Sequence, residues 1–282
     1  MSRLRVLHRT AFTYERPVSA SYNEARMRPA NLPGQTVLSS EVAVEPSTWS
    51  ADYRDYWGTV VTAFEVLRPH TELVVTAESV VEVTHAATDV AGCSWSDLSG
   101  RAFADRFTEF LVPTPATEPT PDLAELAHDA ASGLEPAEAA LAICAVVRAE
   151  MEYVPGVTAV HTRACEAWLE RKGVCQDVTH LAVGALRSLG IPARYVSGYV
   201  QPGDAAGPVQ DEVGTGQSHA WLEWWSGAWR GYDPTNAAPV ADRHVVLARG
   251  REYGDVAPLR GVFAGGGSTS EQRVDVTITQ ED

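Results

Sequence analysis

Between Gly173 and Pro192 the chain carries a pattern that a helix satisfies and a strand does not. Val178, Leu181, Ala182, Ala185, Leu186 and Leu189 recur at i, i+3, i+4, i+7, i+8 and i+11, one continuous face of an α-helix. Gly190 ends the helix, and Pro192 prevents its resumption. An apolar face this wide must be buried, and the chain that follows offers strands to bury it against: 193–200, 217–225 and 228–233. Upstream, helices are expected over 121–131 and from Pro136, the second with Leu141, Cys144, Val147 and Met151 along one stripe. Helices first and an antiparallel sheet after them make this part of the chain α+β.

The first hundred residues follow a different period. In LRVLHRTAFTY, Leu4, Val6, His8, Thr10, Phe12 and Tyr14 fall on one face of a strand, while Arg3, Arg5 and Arg9 fall on the other. Further strands are expected at 37–45, 58–67 and 73–84, separated by Gly, Pro and Asn punctuation. The stretch FLVPTPATEPTPD reads as a linker or an extended strap. The organisation expected is a β-rich domain over 1–110 and an α+β core over 111–282, closed by a strand at 273–279 after Gly265-Gly266-Gly267.

Composition narrows the partners. With 282 residues, 45% hydrophobic and 21% charged, the chain has the make-up of a globular protein able to bury a full core. A formal charge of −15 excludes nucleic acid and anionic lipid as main partners, since both would be repelled. No segment approaches the ~20 apolar residues of a membrane helix, and MSRLRVLHRTAFTY lacks the apolar run of a signal peptide. Cys93, Cys144, Cys165 and Cys175 form no CxxC pair, so free thiols and a cytoplasmic setting are expected.

Cys175 stands at the first turn of the predicted helix, where unpaired N–H groups and the helix dipole favour an anion. The same groups favour a thiolate and suit the oxyanion of an acyl-transfer intermediate. A lone cysteine is equally at home as a small buried hydrophobe. A thiolate nucleophile works beside an imidazole oriented by a third group. His180 is five residues on, about 140° around the helix, and is expected to pack or hydrogen-bond elsewhere. His219 opens an aromatic strand whose hairpin partner ends at Asp233. A two-residue loop at Ser226-Gly227 would oppose His219 to Pro234 and send Asp233 to the other face. A three-residue loop, Trp225-Ser226-Gly227, opposes His219 to Asp233 and uses Gly227 at a left-handed position, so the odd loop is expected. Taken alone, the same two residues also read as a surface pair on a hairpin.

These blocks, GVCQDVTHLAVGALRSLGIPARYVSGY (173–199), SHAWLEWW (218–225) and WRGYDPTN (229–236), together resemble the transglutaminase-like core. The opening HRTAFTYERPV, the RMRPAN segment, Asp55-Tyr56-Trp57-Gly58 and Arg68-Pro69-His70 resemble the β-rich region that precedes this core in bacterial members, and the tail DRHVVLARGREYGDVAPLRGVFAGGG fits the same group. The resemblance implies an N-terminal antiparallel β domain followed by a papain-like core in which the Cys-bearing helix packs on an antiparallel sheet. It implies a catalytic triad of Cys175, His219 and Asp233. Asp177, also part of the motif, is expected to favour the helix dipole or to pair with an arginine such as Arg194. Trp221 and Tyr195 are substrate-binding candidates that would serve equally as core.

The implied chemistry is cysteine-dependent acyl transfer on a peptide or amide through a thioester, with hydrolysis, as in a protease or amidase, the expected outcome. Transglutaminase-type amide formation with an amine acceptor and a non-catalytic peptide-binding module are the alternatives. Lys172 is the sole lysine, which gives self-cross-linking no support. No Asp-x-Asp-x-Asp-Gly loop is present, so neither calcium nor another cofactor is expected. A metal site built from Cys175, His219 and Asp233 remains a third reading. The N-terminal domain is expected to wall one side of the cleft.

Overall fold

The computed structural model describes residues 2–84, 92–202, 218–265 and 270–281. The N-terminal third is six strands: β1 (Ser2–Val18), β2 (Ala20–Ala25), β3 (Gln35–Glu45), β4 (Trp49–Arg54), β5 (Val60–Val66) and β6 (His70–Val83). Helices α1 (Arg101–Leu111), α2 (Pro121–Ala131) and α3 (Pro136–Ala149) follow, then the short strand β7 (Glu152–Tyr153), α4 (Ala164–Glu170) and β8 (Lys172–Gly173). Helix α5 (Cys175–Ser188) leads to β9 (Ala193–Val200), β10 (His219–Trp225), β11 (Trp229–Asp233), β12 (Ala238–Pro239) and β13 (His244–Gly250). A single turn, α6 (Tyr253–Val256), precedes β14 (Leu259–Ala264) and β15 (Ser270–Glu281). The architecture is α+β with mostly antiparallel sheets, as the sequence predicts. No helix among the described residues is long and apolar enough to cross a membrane.

Three large sheets organise these elements, and β7 and β8 form a fourth, two-stranded parallel one. A central sheet has the order β12-β11-β10-β9-β13, and two outer sheets run β15-β1-β6-β3 and β14-β2-β5-β4. Strands β14 and β15, which lie in the 111–282 segment, thus pair with β2 and β1 of the 1–110 segment. The alternation in β1 has the predicted effect. Leu4, Val6, His8 and Thr10 are buried and Arg3 and Arg5 are exposed, so the apolar face of this sheet closes a shared core with Tyr195, Tyr199 and Ala220 of the central sheet. The expected closing strand runs three residues further toward its start, and the expected Gly266-Gly267 loop lies outside the described residues.

Helix α5 is the axis of the remaining core. Its apolar face packs on β10 and β9, and α2, α3 and α4 cover its other sides, so that every residue from Asp177 to Arg187 is buried. The sequence pattern marks only one face as apolar, and the polar residues of the other face therefore need internal partners. Arg187 donates to the carbonyl of Ala193 at 3.1 and 2.9 Å, to Thr117 Oγ1 at 3.2 Å and to the carbonyl of Arg251 at 2.9 Å. Burial lowers its guanidinium to a pKa of about 10. His180 accepts the backbone N–H of Tyr253 at 3.0 Å through Nε2. Burial, with the charge of Arg187 behind it, pushes this imidazole down to about 3, so it stays a neutral acceptor.

Helices α2 and α3 fall where expected, and Cys144, Val147 and Met151 of the α3 stripe are buried, but Leu141 is not. Leu141 is 45% exposed, while Ala139, Ala140, Ile143, Cys144 and Val147 face inward. The alanines let α3 approach its neighbours closely, and that approach outweighs burial of the larger Leu141. Helix α1 has no counterpart in the expected elements. Its Phe107 and Phe110 pack against Trp229, and Phe110 also meets Trp57 of the β4–β5 turn. The proline-rich stretch after α1 is a strap rather than a loose linker, since Thr117 is fully buried and its carbonyl crosses α5 at Gly184.

A Cβ at Gly184 would stand 1.9 Å from the Thr117 carbonyl oxygen. Helix propensity alone favours Ala over Gly by about 1 kcal/mol. Displacing the strap costs more, so Gly184→Ala is expected to lower stability by about 1–3 kcal/mol. Urea denaturation measures this, and a raised midpoint would refute the strap contact.

Candidate active site

Cys175 is the first residue of α5, and Val174 before it is extended at φ −116°. The turn is fixed by Asp177. Its Oδ2 accepts the Val174 N–H at 2.8 Å and the Thr158 hydroxyl at 2.7 Å. A negative group at this place satisfies an unpaired donor and favours the dipole, the first of the two roles expected for it. The pairing with Arg194 is not formed. Arg194 instead bonds Glu223 through Nε at 2.6 Å, and Arg249 joins the same carboxylate at 2.7 Å. Burial raises the Asp177 carboxyl, against the pull of its hydrogen bonds. Gly173 is required here, because a Cβ would meet Asp177 Oδ2 at 2.6 Å.

The β10–β11 hairpin has a three-residue loop, placed one residue later than expected. Trp225 pairs with Trp229 and Leu222 with Tyr232, so the loop is Ser226-Gly227-Ala228, with Gly227 left-handed at φ 79°. The register puts Trp221, not His219, opposite Asp233. A shift of two residues preserves the face, since side chains alternate with period two. His219 and Asp233 are therefore diagonal neighbours on one side of the sheet, and His219 Nε2 meets Asp233 Oδ2 at 2.7 Å. The pair is not at the surface: the side chains are 1% and 0% exposed.

Asp233 is a buried carboxylate with a full set of donors. Its Oδ1 accepts the N–H groups of Thr235 and Asn236, both at 3.1 Å. Its Oδ2 accepts Asn236 Nδ2 at 2.6 Å as well as His219, and His244 Nε2 lies 3.8 Å away. Burial works against its charge, but the attraction of His219 overcomes it and holds the carboxyl far below the usual range. For His219, burial opposes the charged ring, while Asp233 first and Cys175 second raise it well above the usual histidine value. With Nε2 on Asp233, the Nδ1 side of the ring is left for Cys175. His244 has its Nδ1 occupied as acceptor of the Ala241 N–H at 3.1 Å.

Cys175 and His219 open onto one cleft of about 350 Å³. Thr158 and Val160 wall it on the helix side, Tyr195, Ser197 and Tyr253 on the sheet side, and Gln272 and Val274 of β15 at its margin. The expected wall from the N-terminal domain is thus supplied by the last strand, as the edge of the sheet that β1 begins. Tyr195 reaches the cleft. Trp221 does not. Its indole is fully buried, 5.3 Å from the His244 ring and 6.2 Å from the His219 ring, and it fills the space that Gly198 leaves open. Trp221 therefore supports the two imidazoles from beneath instead of lining the substrate path. Among the described residues no three His, Cys, Asp or Glu side chains are placed as metal ligands.

Several residues of the site carry no expectation from sequence. Asn236 had a readable signal, since Asp-Pro-Thr-Asn is a turn in which a carboxylate accepts N–H groups two and three residues on. His244, Tyr253, Gln272 and Val274 had none, for they reach the site only through pairings distant in the chain.

Comparison with known proteins places the chain among relatives of one family and fold. Residues 4–82 match the model of the bacterial transglutaminase-like N-terminal region, and residues 124–234 match that of the transglutaminase-like superfamily. An uncharacterised protein of Mycobacterium leprae is 44% identical over 278 residues, covering 99% of this chain and 98% of that one. An uncharacterised protein of Mycobacterium tuberculosis is 30% identical over 305 residues, covering 98% and 92%. A crystal structure of a candidate cysteine protease from Cytophaga hutchinsonii superposes with a TM-score of 0.76 at 21% identity, covering 100% of this chain and 91% of that one, and shares its fold.

The paired charges have a defined pH dependence. A raised His219 adds stability that is complete below the unfolded value of 6.5 and is lost as pH climbs through the folded value. A lowered Asp233 adds stability that is complete above the unfolded value of 3.8 and is lost as pH falls through the folded one. Asp233→Asn is expected to cost about 3–5 kcal/mol, most between those two pH values. The gap to wild type should narrow above pH 6.5, where the unfolded histidine also loses its proton. Denaturation at a series of pH values reads it, and a gap that widens with rising pH would contradict the pairing.

Proposed function

The chain belongs to the transglutaminase-like superfamily, and from that premise we propose that it is a cysteine-dependent enzyme that cleaves an amide by acyl transfer through Cys175. The observation that carries this reading is the buried His219–Asp233 pair opening onto the same cleft as a cysteine at a helix start. The Cys175 sulfur attacks the amide carbonyl, and the first-turn N–H groups of α5 receive the charge that develops on oxygen. His219, kept charged by Asp233, gives a proton to the departing amine. That leaves a thioester on Cys175 and a neutral imidazole facing it. Water gives a proton to this imidazole as it attacks the thioester, and the acid leaves with the Cys175 sulfur again unacylated and the ring again charged.

Asp233 contributes orientation as much as charge. Its five contacts fix the carboxylate, the carboxylate fixes the imidazole, and the Nδ1 face of the ring is directed at the sulfur. Apart from the reacting pair Cys175 and His219, the cleft is walled by neutral side chains, which favours an uncharged group next to the carbonyl that reacts.

The test uses p-nitrophenyl acetate, whose acyl group needs no recognition. Wild type is expected to give a burst of nitrophenolate and an acetyl group on Cys175 by peptide mapping, with Cys93, Cys144 and Cys165 as internal controls. His219→Ala should slow that acylation by roughly 10²–10⁴-fold, the range of a positioned acid–base group. Labelling of Cys175 at the rate of an ordinary exposed thiol, unchanged in the variant, would refute the reading and leave a binding module.

A further inference from the structure

Strand β15 ends its sheet, with β1 on one side and, among the described residues, no strand on the other. It is an unusual edge. Its twelve residues pair with β1 in unbroken register from Arg3–Glu281 to Tyr14–Ser270. It contains no proline, glycine or lysine and no bulge. The other edges of the three large sheets are shorter or broken: β3 is bulged between Val37 and Ser39, β13 is bulged between Val246 and Ala248, β12 has two residues, and β4 and β14 have six each. A long, regular, unprotected edge is a template for another strand.

This edge lies at the cleft. Gln272 and Val274 line it with side chains on the face that packs on the core, and no residue of β1 does, so the cleft lies beside the outermost strand of the sheet. Val274 packs on the same core as Cys175 and Tyr253. A strand added to β15 would run about 4.8 Å from it, across the mouth of the cleft. The side chains that β15 turns toward the cleft are neutral, while Arg273 and Asp275 pair with each other on the far face. The net charge of −15 disfavours a second copy of the chain as the added strand.

We propose that the substrate is a polypeptide bound in extended form as an added strand on the outer edge of β15, with one of its own main-chain carbonyls delivered to Cys175. This inference rests on the acyl-transfer reading above and narrows its substrate from amides in general to peptide main chain. Recognition comes from backbone hydrogen bonds, which do not depend on sequence, and from a neutral residue turned into the cleft. Every second amide of the peptide faces β15, and the amides between face away.

The experiment compares p-nitrophenyl acetate with the p-nitrophenyl ester of acetyl-Thr-Val-Thr-Val-Ala on the full chain. The peptide ester should acylate Cys175 about ten to a hundred times faster, the yield of two or three net hydrogen bonds. Methylating the peptide nitrogens one at a time should abolish the gain at alternate positions and keep it at the positions between. Equal rates for the two esters, or losses without alternation, would overturn the strand mode while leaving the nucleophile intact. If neither ester acylates, the catalytic reading fails, and the strand mode is then decided by protection. The unreactive amide of the same peptide should slow iodoacetamide labelling of Cys175, again with alternating sensitivity to N-methylation. No protection overturns it, as does sedimentation of the free chain as a dimer that the peptide amide does not dissociate.

Discussion

A carboxylate with no exposed surface sets the terms for one end of this protein. Asp233 has exchanged water for five protein contacts, which together fix three parts of the chain: the turn at Thr235 and Asn236, the first residue of β10, and the first residue of β13. Few arrangements can hold such a charge, because every lone pair left without a donor costs free energy in a dry interior. The hairpin register, the position of β13 beside β9 and the packing of Trp221 beneath both imidazoles follow from that requirement. The site is rigid because its charge could not otherwise be buried.

Helix α5 plays the corresponding part at the other end. It places Cys175 by its first turn, and through His180 it holds the backbone of Tyr253 at the far wall of the cleft. Its capping carboxylate, Asp177, also grips Thr158, so the loop that walls the cleft moves with the helix. Nucleophile and walls thus share one rigid element, and the precision of the site is a by-product of the burial of α5.

Local chemistry was legible where it was strong. The α5 face and its stop at Gly190 and Pro192 fixed that helix to within a residue or two, and the alternation in β1 gave its buried face though not its continuation to Val18, because periodicity reports a buried face directly. The hairpin shows the limit of this reading. Loop length follows from the need for a left-handed Gly227, but where the loop sits depends on how Trp224 and Trp225 pack, and the strand alone does not encode that. The α3 stripe misses at Leu141 for a similar reason. Small residues bring helices together more closely than a Leu can, so the face with more alanine is the one turned inward. Gln272 and Val274 lie beyond any local argument, since their place at the cleft is decided by a pairing with the opposite end of the sequence.

That pairing has a consequence in time. The wall that β15 supplies cannot exist until residues 270–281 have been made and have travelled back to β1, which is made long before this partner. Contacts of such long range form late and slowly. The helix that bears the cysteine can fold on the ribosome well before the margin of its cleft arrives. A nascent chain would then carry the reactive group while still lacking the rail that selects what reaches it, and competence for selective chemistry would date from the docking of β15, not from the folding of the core.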